Sequence, residues 1–165
     1  CKTDKKMELE FAQTVREHKG TIYTVCYMFS NNPEEVADLF QEILINLWKG
    51  FPQFRGDSNV KTWIYRVSLN TCISFLRRSK HQVEAITLPV NLEVFDDDDD
   101  GEKSNRLREL YQLIQTLNPL ERALILLWLE ERSYDEIAQI LGISKNNVGV
   151  RLSRIKDKLK KMSNR

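Results

Sequence analysis

The sequence predicts an all-α protein of two small helical domains joined by an acidic linker. Apolar residues recur at helical spacing in both halves of the 165-residue chain, and capping residues precede several of these runs. Between the halves, residues 80–103 lose the helical period and hold Pro89, Gly101 and five consecutive aspartates. We therefore expect an N-terminal bundle of three to four helices at 5–79, a linker at 80–103 and a C-terminal four-helix domain with a helix-turn-helix at 104–165.

Three successive segments predict the N-terminal bundle. The second starts at Asn32-Pro33, since asparagine caps helices and proline suits the first helical position, and we expect it to end near Gly50. A third helix is expected at about 59–78, after the loop "FPQFRGDS". The first segment carries one apolar stripe, with Gly20 as a local irregularity: Phe11, Val15, Ile22, Val25, Cys26 and Phe29. The second segment's stripe is longer: Val36, Leu39, Phe40, Ile43, Leu44, Leu47 and Trp48.

Charge is distributed in blocks that the overall net charge of +1 conceals. Residues 49–80 and 132–165 each carry a net charge of +6, and residues 81–104 between them carry −7. Two basic segments flanking an acidic one indicate two contacts with a polyanion, although solvated faces give the same pattern. The aspartate run lacks the spacing and the turn glycine of a calcium loop, so a solvated linker is expected, and no metal or cofactor is indicated.

Composition excludes several classes of protein. The chain is 41% hydrophobic and 30% charged, and no apolar run approaches the roughly 18–20 residues of a membrane span, so a soluble protein is expected. No secretory signal is visible, and Cys1, Cys26 and Cys72 have no disulfide-framework spacing, which indicates a reducing cytoplasm. His18 and His81 are isolated, and no nucleophile arrangement or phosphate-binding glycine loop occurs, so no enzyme is predicted.

Residues 133–161, "SYDEIAQILGISKNNVGVRLSRIKDKLKK", have the pattern of a helix-turn-helix. Ser133 and Glu136 predict a capping box, Gly142 suits a left-handed helix end, and Ser144 caps the second helix. The second helix has a buried stripe at Val148, Leu152, Ile155 and Leu159. An ordinary helical hairpin with a basic face is the alternative. A recognition helix would read base edges and phosphates with the residues left outward: Ser144, Lys145, Asn146, Asn147, Gly149, Val150, Arg151, Ser153, Arg154 and Lys158.

The N-terminal half supplies the more specific pattern. Residues 38–78, "DLFQEILINLWKGFPQFRGDSNVKTWIYRVSLNTCISFLRR", closely resemble region 2 of extracytoplasmic-function (ECF) sigma factors, which read D-L-x-Q-E, F-R-G-[DE]-[SA] and T-W-[LI]-Y-R-[IV], followed by Asn. The segment "LNPLERALILLWLEERSYDEIAQILGIS…VRLSRIKDKL" resembles their region 4. The resemblance implies a dissociable subunit of bacterial RNA polymerase. Such a subunit reads promoter DNA at the −35 element with region 4 and at the −10 element with region 2.

The resemblance also implies partners. Region 2 docks on the β′ clamp helices of core RNA polymerase and region 4 on the β flap, and an anti-sigma protein, membrane-tethered, sequesters the free subunit. No small-molecule substrate and no membrane insertion are implied. The residues implied in clamp binding face away from the buried stripe, where plain solvated polarity is the alternative: Asp38, Gln41, Glu42, Ile45 and Lys49.

Opening a duplex requires capture of an unstacked base and a grip on the separated strand. Aromatic faces and backbone donors suit the first task and cations the second. By the resemblance, the loop from Phe54 to Asn59 takes a flipped −10 base, although Trp63 and Tyr65 could instead be core residues and Asn70 a buried hydrogen-bonding residue. Read alone, Arg55–Asp57 would be an adhesion tripeptide, which the missing signal peptide argues against. The implied −10 residues are Phe54, Arg55, Gly56, Asp57, Ser58, Asn59, Lys61, Trp63, Tyr65, Arg66, Asn70, Arg77 and Arg78.

One departure from the family pattern lies in the recognition helix. Many members place Lys or Arg and then Ser before its arginine, where this chain has Gly149-Val150. Glycine costs about 1 kcal/mol of helix propensity relative to alanine but lets a backbone approach DNA closely, and valine can contact a thymine methyl. We therefore expect this helix to bind the −35 element, but we do not predict which −35 sequence it recognises. A free-standing helix-turn-helix regulator and a helical adaptor with basic surfaces are the alternatives.

Overall fold

The computed structural model describes residues 2–54, 59–78 and 101–163, and every regular element in them is an α-helix. The all-α class and the two helical domains are confirmed, with three helices in the N-terminal domain and four in the C-terminal domain. The predicted linker lies outside the described residues up to residue 100, and a helix already begins at Gly101. The helices are α1 (Lys2–Phe29), α2 (Pro33–Phe54), α3 (Val60–Arg78), α4 (Gly101–Gln115), α5 (Pro119–Leu129), α6 (Tyr134–Leu141) and α7 (Lys145–Ser163).

Two predicted details of the N-terminal helices are wrong. Helix α1 runs through Gly20 without interruption, because this glycine is exposed and has open space where a side chain would point. Helix α2 ends at Phe54 and not near Gly50, even though Pro52 lies in its last turn. Aromatic contacts hold that turn, since Phe51 packs edge-on against Phe11 with ring centroids 5.3 Å apart, and the helix continues past the predicted end at Gly50.

Short polar side chains begin the helices by accepting the backbone N–H groups of the first turn. The predicted cap at Asn32 is confirmed, since its side-chain oxygen accepts from the Glu34 N–H at 2.9 Å. Asn59 caps α3 by accepting from the N–H groups of Lys61 and Thr62 at 2.9 and 3.4 Å. Asn118 and Glu121 form a full capping box at the start of α5.

The N-terminal core is the interior predicted from the apolar stripes. Ile22, Leu39, Ile43 and Leu47 are buried, and α3 adds Ile64, Leu69 and Cys72. Burial of each leucine or isoleucine contributes about 1.5–3 kcal/mol, so these side chains are the main source of the stability of the bundle. Cys26 and Cys72 are buried free thiols, and hydrogen bonding between them together with burial raises the pKa of Cys72.

The C-terminal core lies between α5, α6 and α7. Its members are all buried: Ala123, Leu124, Ile125, Leu126, Leu127, Ile137, Ile140, Val148, Leu152 and Ile155. Helices α4, α5 and α6 also contact α1 and α3, so the two domains pack against each other. Among the described residues, no helix is both long and apolar enough to cross a bilayer.

Candidate nucleic-acid and polymerase interfaces

Helices α6 and α7 form the predicted helix-turn-helix. Gly142 ends α6 with φ 71° and ψ 31°, the left-handed conformation that glycine adopts without strain. Ser144 starts α7 by accepting from the Asn147 N–H at 3.1 Å. Ser133 accepts from the Glu136 N–H at 3.1 Å, but the Glu136 carboxylate accepts from Arg132 at 3.3 Å. Only the Ser133 half of the predicted capping box is therefore present.

The outward face of α7 is largely exposed, as a recognition helix requires. Val150 has 43% of its surface exposed, and Gly149 packs near the Tyr134 ring of α6, 3.6 Å from where a Cβ would lie. The exposed predicted DNA contacts of this turn and helix are Ser144, Lys145, Asn146, Val150, Ser153, Arg154 and Lys158, whereas Asn147, Gly149 and Arg151 are half-buried.

Three cations of the recognition face have partners within the protein. Lys145 lies 3.4 Å from the Asp135 carboxylate, and Lys158 lies 3.7 Å from Glu121. The Arg151 Nε donates to the Asn147 side chain at 3.0 Å. The Lys145–Asp135 ion pair is exposed on both sides and contributes about 0–1 kcal/mol, so a phosphate can replace Asp135 as the partner of Lys145 at little cost.

The two ends of the predicted base-capturing loop have defined structural roles. Phe54 is the last residue of α2, and its ring stacks on Trp63 with centroids 4.4 Å apart and planes 12° from parallel. At the other end, Asn59 caps α3. The residues between them, 55–58, lie outside the described residues. The loop thus starts and ends on fixed points, with a stacked aromatic pair at its base.

The α3 residues predicted to contact the −10 strand fall into a buried group and an exposed group. Trp63 and Tyr65 are buried at 8% and 2% exposure, so they belong to the core in this structure. Burial raises the pKa of Tyr65 to about 12, with the Glu130 carboxylate adding to the shift. Asn70 is exposed, so its reading as a buried hydrogen-bonding residue is wrong. Arg66, Arg77 and Arg78 are also exposed, and Lys61 is half-buried.

The predicted polymerase-binding residues share the outward face of α2. Asp38, Gln41, Ile45 and Lys49 are exposed, and Glu42 is half-buried. Ile45 keeps 53% of its surface exposed and places an apolar side chain among these polar ones.

Trp48 adjoins this face, although the apolar stripe predicted it to be in the core. It keeps 37% of its surface exposed, and its ring packs edge-on against Phe11 with centroids 5.1 Å apart. Periodicity could not predict this exposure, because the environment of Trp48 depends on its contact with Phe11 of α1.

A groove joins the outward face of α2 to the outward face of α3. Sequence reasoning missed Asn46 and Ser74, which line it; the four-residue spacing of the polar positions along α3 was the available signal. Arg78 is paired with Glu42 at 2.6 Å, and Asn46 donates to Thr71 at 2.9 Å. The side chains lining the groove are Glu42, Asn46, Arg66, Val67, Asn70, Thr71, Ser74 and Arg78.

A helix-turn-helix with an exposed polar and basic face, on a two-domain all-helical chain, is typical of a DNA-binding protein. The family model for sigma-70 region 2 matches residues 14–82, and that for sigma-70 region 4 matches residues 107–159. The chain is 31% identical over 153 residues to the RNA polymerase sigma factor YlaC of Bacillus subtilis (strain 168), covering 88% of this chain and 87% of that protein. It is 26% identical over 170 residues to the ECF RNA polymerase sigma factor SigW of the same organism, covering 92% and 87%.

Two solved structures share the fold. The sigma factor RpoE of Bartonella quintana, in complex with the anti-sigma factor NepR, superimposes with a TM-score of 0.71 over 94% of this chain and 97% of that one, at 20% identity. CnrH, in complex with the cytosolic domain of CnrY, superimposes with a TM-score of 0.67 over 95% and 89%, also at 20% identity. The chain belongs to the ECF family of RNA polymerase sigma factors. It binds core RNA polymerase and directs promoter recognition in transcription initiation.

Proposed function

We propose that three surfaces divide the work of this sigma factor: the outward face of α7 reads the −35 duplex, the loop after Phe54 with the exposed face of α3 holds the −10 strand, and the outward face of α2 binds polymerase. The domains would span 5–79 and 104–165, with 80–103 as the linker. The observation that carries the proposal is the α7 geometry, in which Val150 and Arg154 are exposed on a helix fixed by the Gly142 turn.

The assignment of α3 to the −10 strand is supported by which of its side chains are exposed and which are buried. Its exposed Arg66, Arg77 and Arg78 can neutralise phosphates of a separated strand, and Asn70 offers hydrogen bonds to a base edge. Buried Trp63 supports the loop from behind through its stacking on Phe54. DNA opening would then draw on binding energy alone, with no catalytic step and no nucleotide hydrolysis.

The polymerase assignment is supported by the mixed chemistry of the α2 face. Ile45 offers an apolar contact in the middle of charged and amide side chains at Asp38, Gln41, Glu42 and Lys49. Apolar centres with polar rims are typical of protein interfaces. The β′ clamp helices would bind this face, and the β flap would bind the C-terminal domain.

An anti-sigma protein is also part of the proposal, and the expected location is the cytoplasm. Of the two solved structures that share the fold, RpoE is in complex with the anti-sigma factor NepR, and CnrH is in complex with the cytosolic domain of CnrY. A partner that covers the α2 face and α3 would withhold the protein from polymerase.

Run-off transcription tests the proposed function. Core RNA polymerase is supplied with genomic fragments, with and without the protein, and the start sites are sequenced. We expect transcripts from a small set of start sites sharing −10 and −35 sequences, only when both components are present. A protein that binds its duplex sites tightly and regulates transcription without joining core polymerase would contradict the proposal and favour a free-standing regulator.

A further inference from the structure

In the described part of the chain, the exposed large apolar side chain of helix α7 is that of Val150. The buried stripe of the same helix is formed by Val148, Leu152 and Ile155. An α-helix turns by about 100° per residue, so Val150 lies about 200° from both Val148 and Leu152 around the helix axis. Val150 is therefore at the centre of the outward face of α7, the face that the proposed function places against the −35 duplex.

The side chains one helical turn from Val150 are polar, and three of these four are exposed: Asn146, Asn147, Ser153 and Arg154. Residues three and four positions apart are neighbours on a helix surface. Val150 is thus an apolar side chain surrounded by groups that can hydrogen-bond to bases or bind phosphates. This combination fits a surface that reads the edges of base pairs.

The stability of the protein does not explain a valine at this position. Val150 keeps 43% of its surface exposed, whereas Val148, the core valine of the same helix, keeps 0%. Valine is also a weaker helix former than alanine, lysine or arginine, because its branched side chain loses rotamer freedom in a helix. The side chain is therefore suited to contact a group outside the protein.

Gly149 leaves the position next to Val150 without a side chain. A Cβ at Gly149 would lie 3.6 Å from the Tyr134 ring, so the first helix of the helix-turn-helix covers that flank of α7. A long side chain at position 149 would have to pass this ring before it reached a DNA groove. The base pair that faces this level of α7 is therefore contacted by Val150 and not by a cation from position 149.

Among the base edges in the major groove, only that of thymine carries a methyl group. Adenine, guanine and cytosine present hydrogen-bonding atoms there, which a valine side chain cannot satisfy. We propose that Val150 is a specificity-determining residue of the −35 contact and selects a thymine by van der Waals contact with its 5-methyl group. The inference rests on the proposed placement of α7 in the −35 duplex and deepens it by naming one base.

Deoxyuridine tests this contact, because it lacks the thymine methyl and keeps every hydrogen-bonding atom of the base. In a promoter found by run-off transcription, each thymine of the −35 element on either strand is replaced in turn. The affinity of the holoenzyme is measured by competition against the labelled, unmodified promoter, at low temperature so that the duplex stays closed. We expect one thymine whose replacement weakens binding about fourfold, the effect of burying one methyl group.

Variants of position 150 assign that effect to its side chain. Val150→Ala should bind the thymine and uracil promoters equally, because alanine does not reach the methyl group. Alanine is the better helix former, so this variant is expected to fold. Val150→Ile keeps a branched apolar side chain and should retain the preference for thymine. Leu129→Ala is the control for shortening an exposed apolar side chain of the same domain outside α7, and it should also retain the preference.

The ratio of the two affinities decides the inference. Equal binding of the wild-type holoenzyme to the promoter and to every uracil-substituted version would overturn it, as would a Val150→Ala variant that keeps the wild-type preference. A promoter that is transcribed and protected at −35, but whose affinity ignores every thymine methyl, refutes only the role of Val150. If the chain instead bound its duplex without polymerase, the proposed function would fail, and the same substitutions in that duplex would still measure the contribution of Val150.

Discussion

Gly142 and Glu131 both have left-handed backbone conformations, with φ of 71° and 59°, and each follows the end of a helix. For Gly142 the conformation is unstrained, because glycine has no Cβ. For Glu131 it costs about 1–2 kcal/mol. The geometry is held by the hydrogen bond from the Arg132 N–H to the Leu127 carbonyl at 3.0 Å, and Glu131 directly precedes Arg132, whose guanidinium lies over the Tyr65 ring.

Two glycine substitutions in the helix-turn-helix are expected to have opposite effects on stability. Gly142→Ala should lower the free energy of unfolding by about 1–2 kcal/mol, because the left-handed conformation disfavours a Cβ. Gly149→Ala should raise it by up to about 1 kcal/mol, since the residue lies inside α7 and the new methyl meets the Tyr134 ring at an ordinary 3.6 Å. Urea denaturation of both variants measures this. Equal effects of the same sign would contradict the described turn.

Within α7, the cations are expected to hold phosphates more than to read bases. Replacing exposed Arg154 with alanine should weaken duplex binding on all sequences and reduce the slope of log affinity against log salt by about 1. Lys5→Ala, the same charge loss on exposed α1, is the control and should leave the slope unchanged. The measurement is filter binding or anisotropy of the holoenzyme on promoter DNA between low and physiological salt. An unaltered slope for Arg154→Ala would show that Arg154 does not contact a DNA phosphate.

On α2, the exposed isoleucine is expected to matter more than its charged neighbours. Ile45→Asp should reduce the affinity for core polymerase by at least tenfold, because apolar residues at the centre of an interface carry most of its energy. Leu9→Asp is the comparison, since Leu9 is a 67% exposed apolar residue on α1 outside the proposed interface. Competition with a labelled wild-type protein for core polymerase compares the two. If both variants compete as well as wild type, α2 is not the binding face.

For the whole molecule, pH is expected to act on the contact between the domains. The pKa values of Tyr65 and Tyr111 are raised from 10 to about 12, chiefly by burial, so the folded state favours the neutral phenols. Their contribution to stability is therefore complete below pH 10 and is lost as the pH rises towards 12. Denaturant midpoints measured from pH 9 to 12 should fall more steeply for wild type than for Tyr111→Phe. Parallel curves would show that Tyr111 does not ionise with unfolding.

The sequence was sufficient for features that depend on neighbours a few positions away. The caps at Asn32 and Ser144, the turn at Gly142 and the apolar stripes are all of this kind, and together they gave the fold class and the α7 face. The hydrogen bonds from Tyr111, Gln115 and Arg122 to the last carbonyls of α1 were not predictable from the sequence. Their partners are separated by 84 to 93 positions, and the acceptors are backbone carbonyls, which side-chain patterns do not reveal.

Residues of the candidate site were partly misjudged for a related reason. Periodicity gives the direction of a side chain around its helix but does not reveal what a distant segment places over it. Tyr65 is buried beneath Arg132 of the other domain, while Trp48 stays partly exposed because α1 covers only one side of its ring. The residue-level roles on the DNA-facing surfaces therefore remain predictions from resemblance and exposure.

Footprinting of the holoenzyme on one cognate promoter tests the central claim, that a single chain holds the same DNA as duplex at one place and as separated strands at another. Nuclease protection reports the −35 contact, and permanganate reactivity of thymines reports opening at −10. We predict that Arg154→Ala reduces upstream protection most, whereas Arg66→Ala retains upstream protection and loses permanganate reactivity. If both variants retained polymerase binding but lost upstream protection and permanganate reactivity equally, the claim of two separate DNA-binding surfaces would be contradicted.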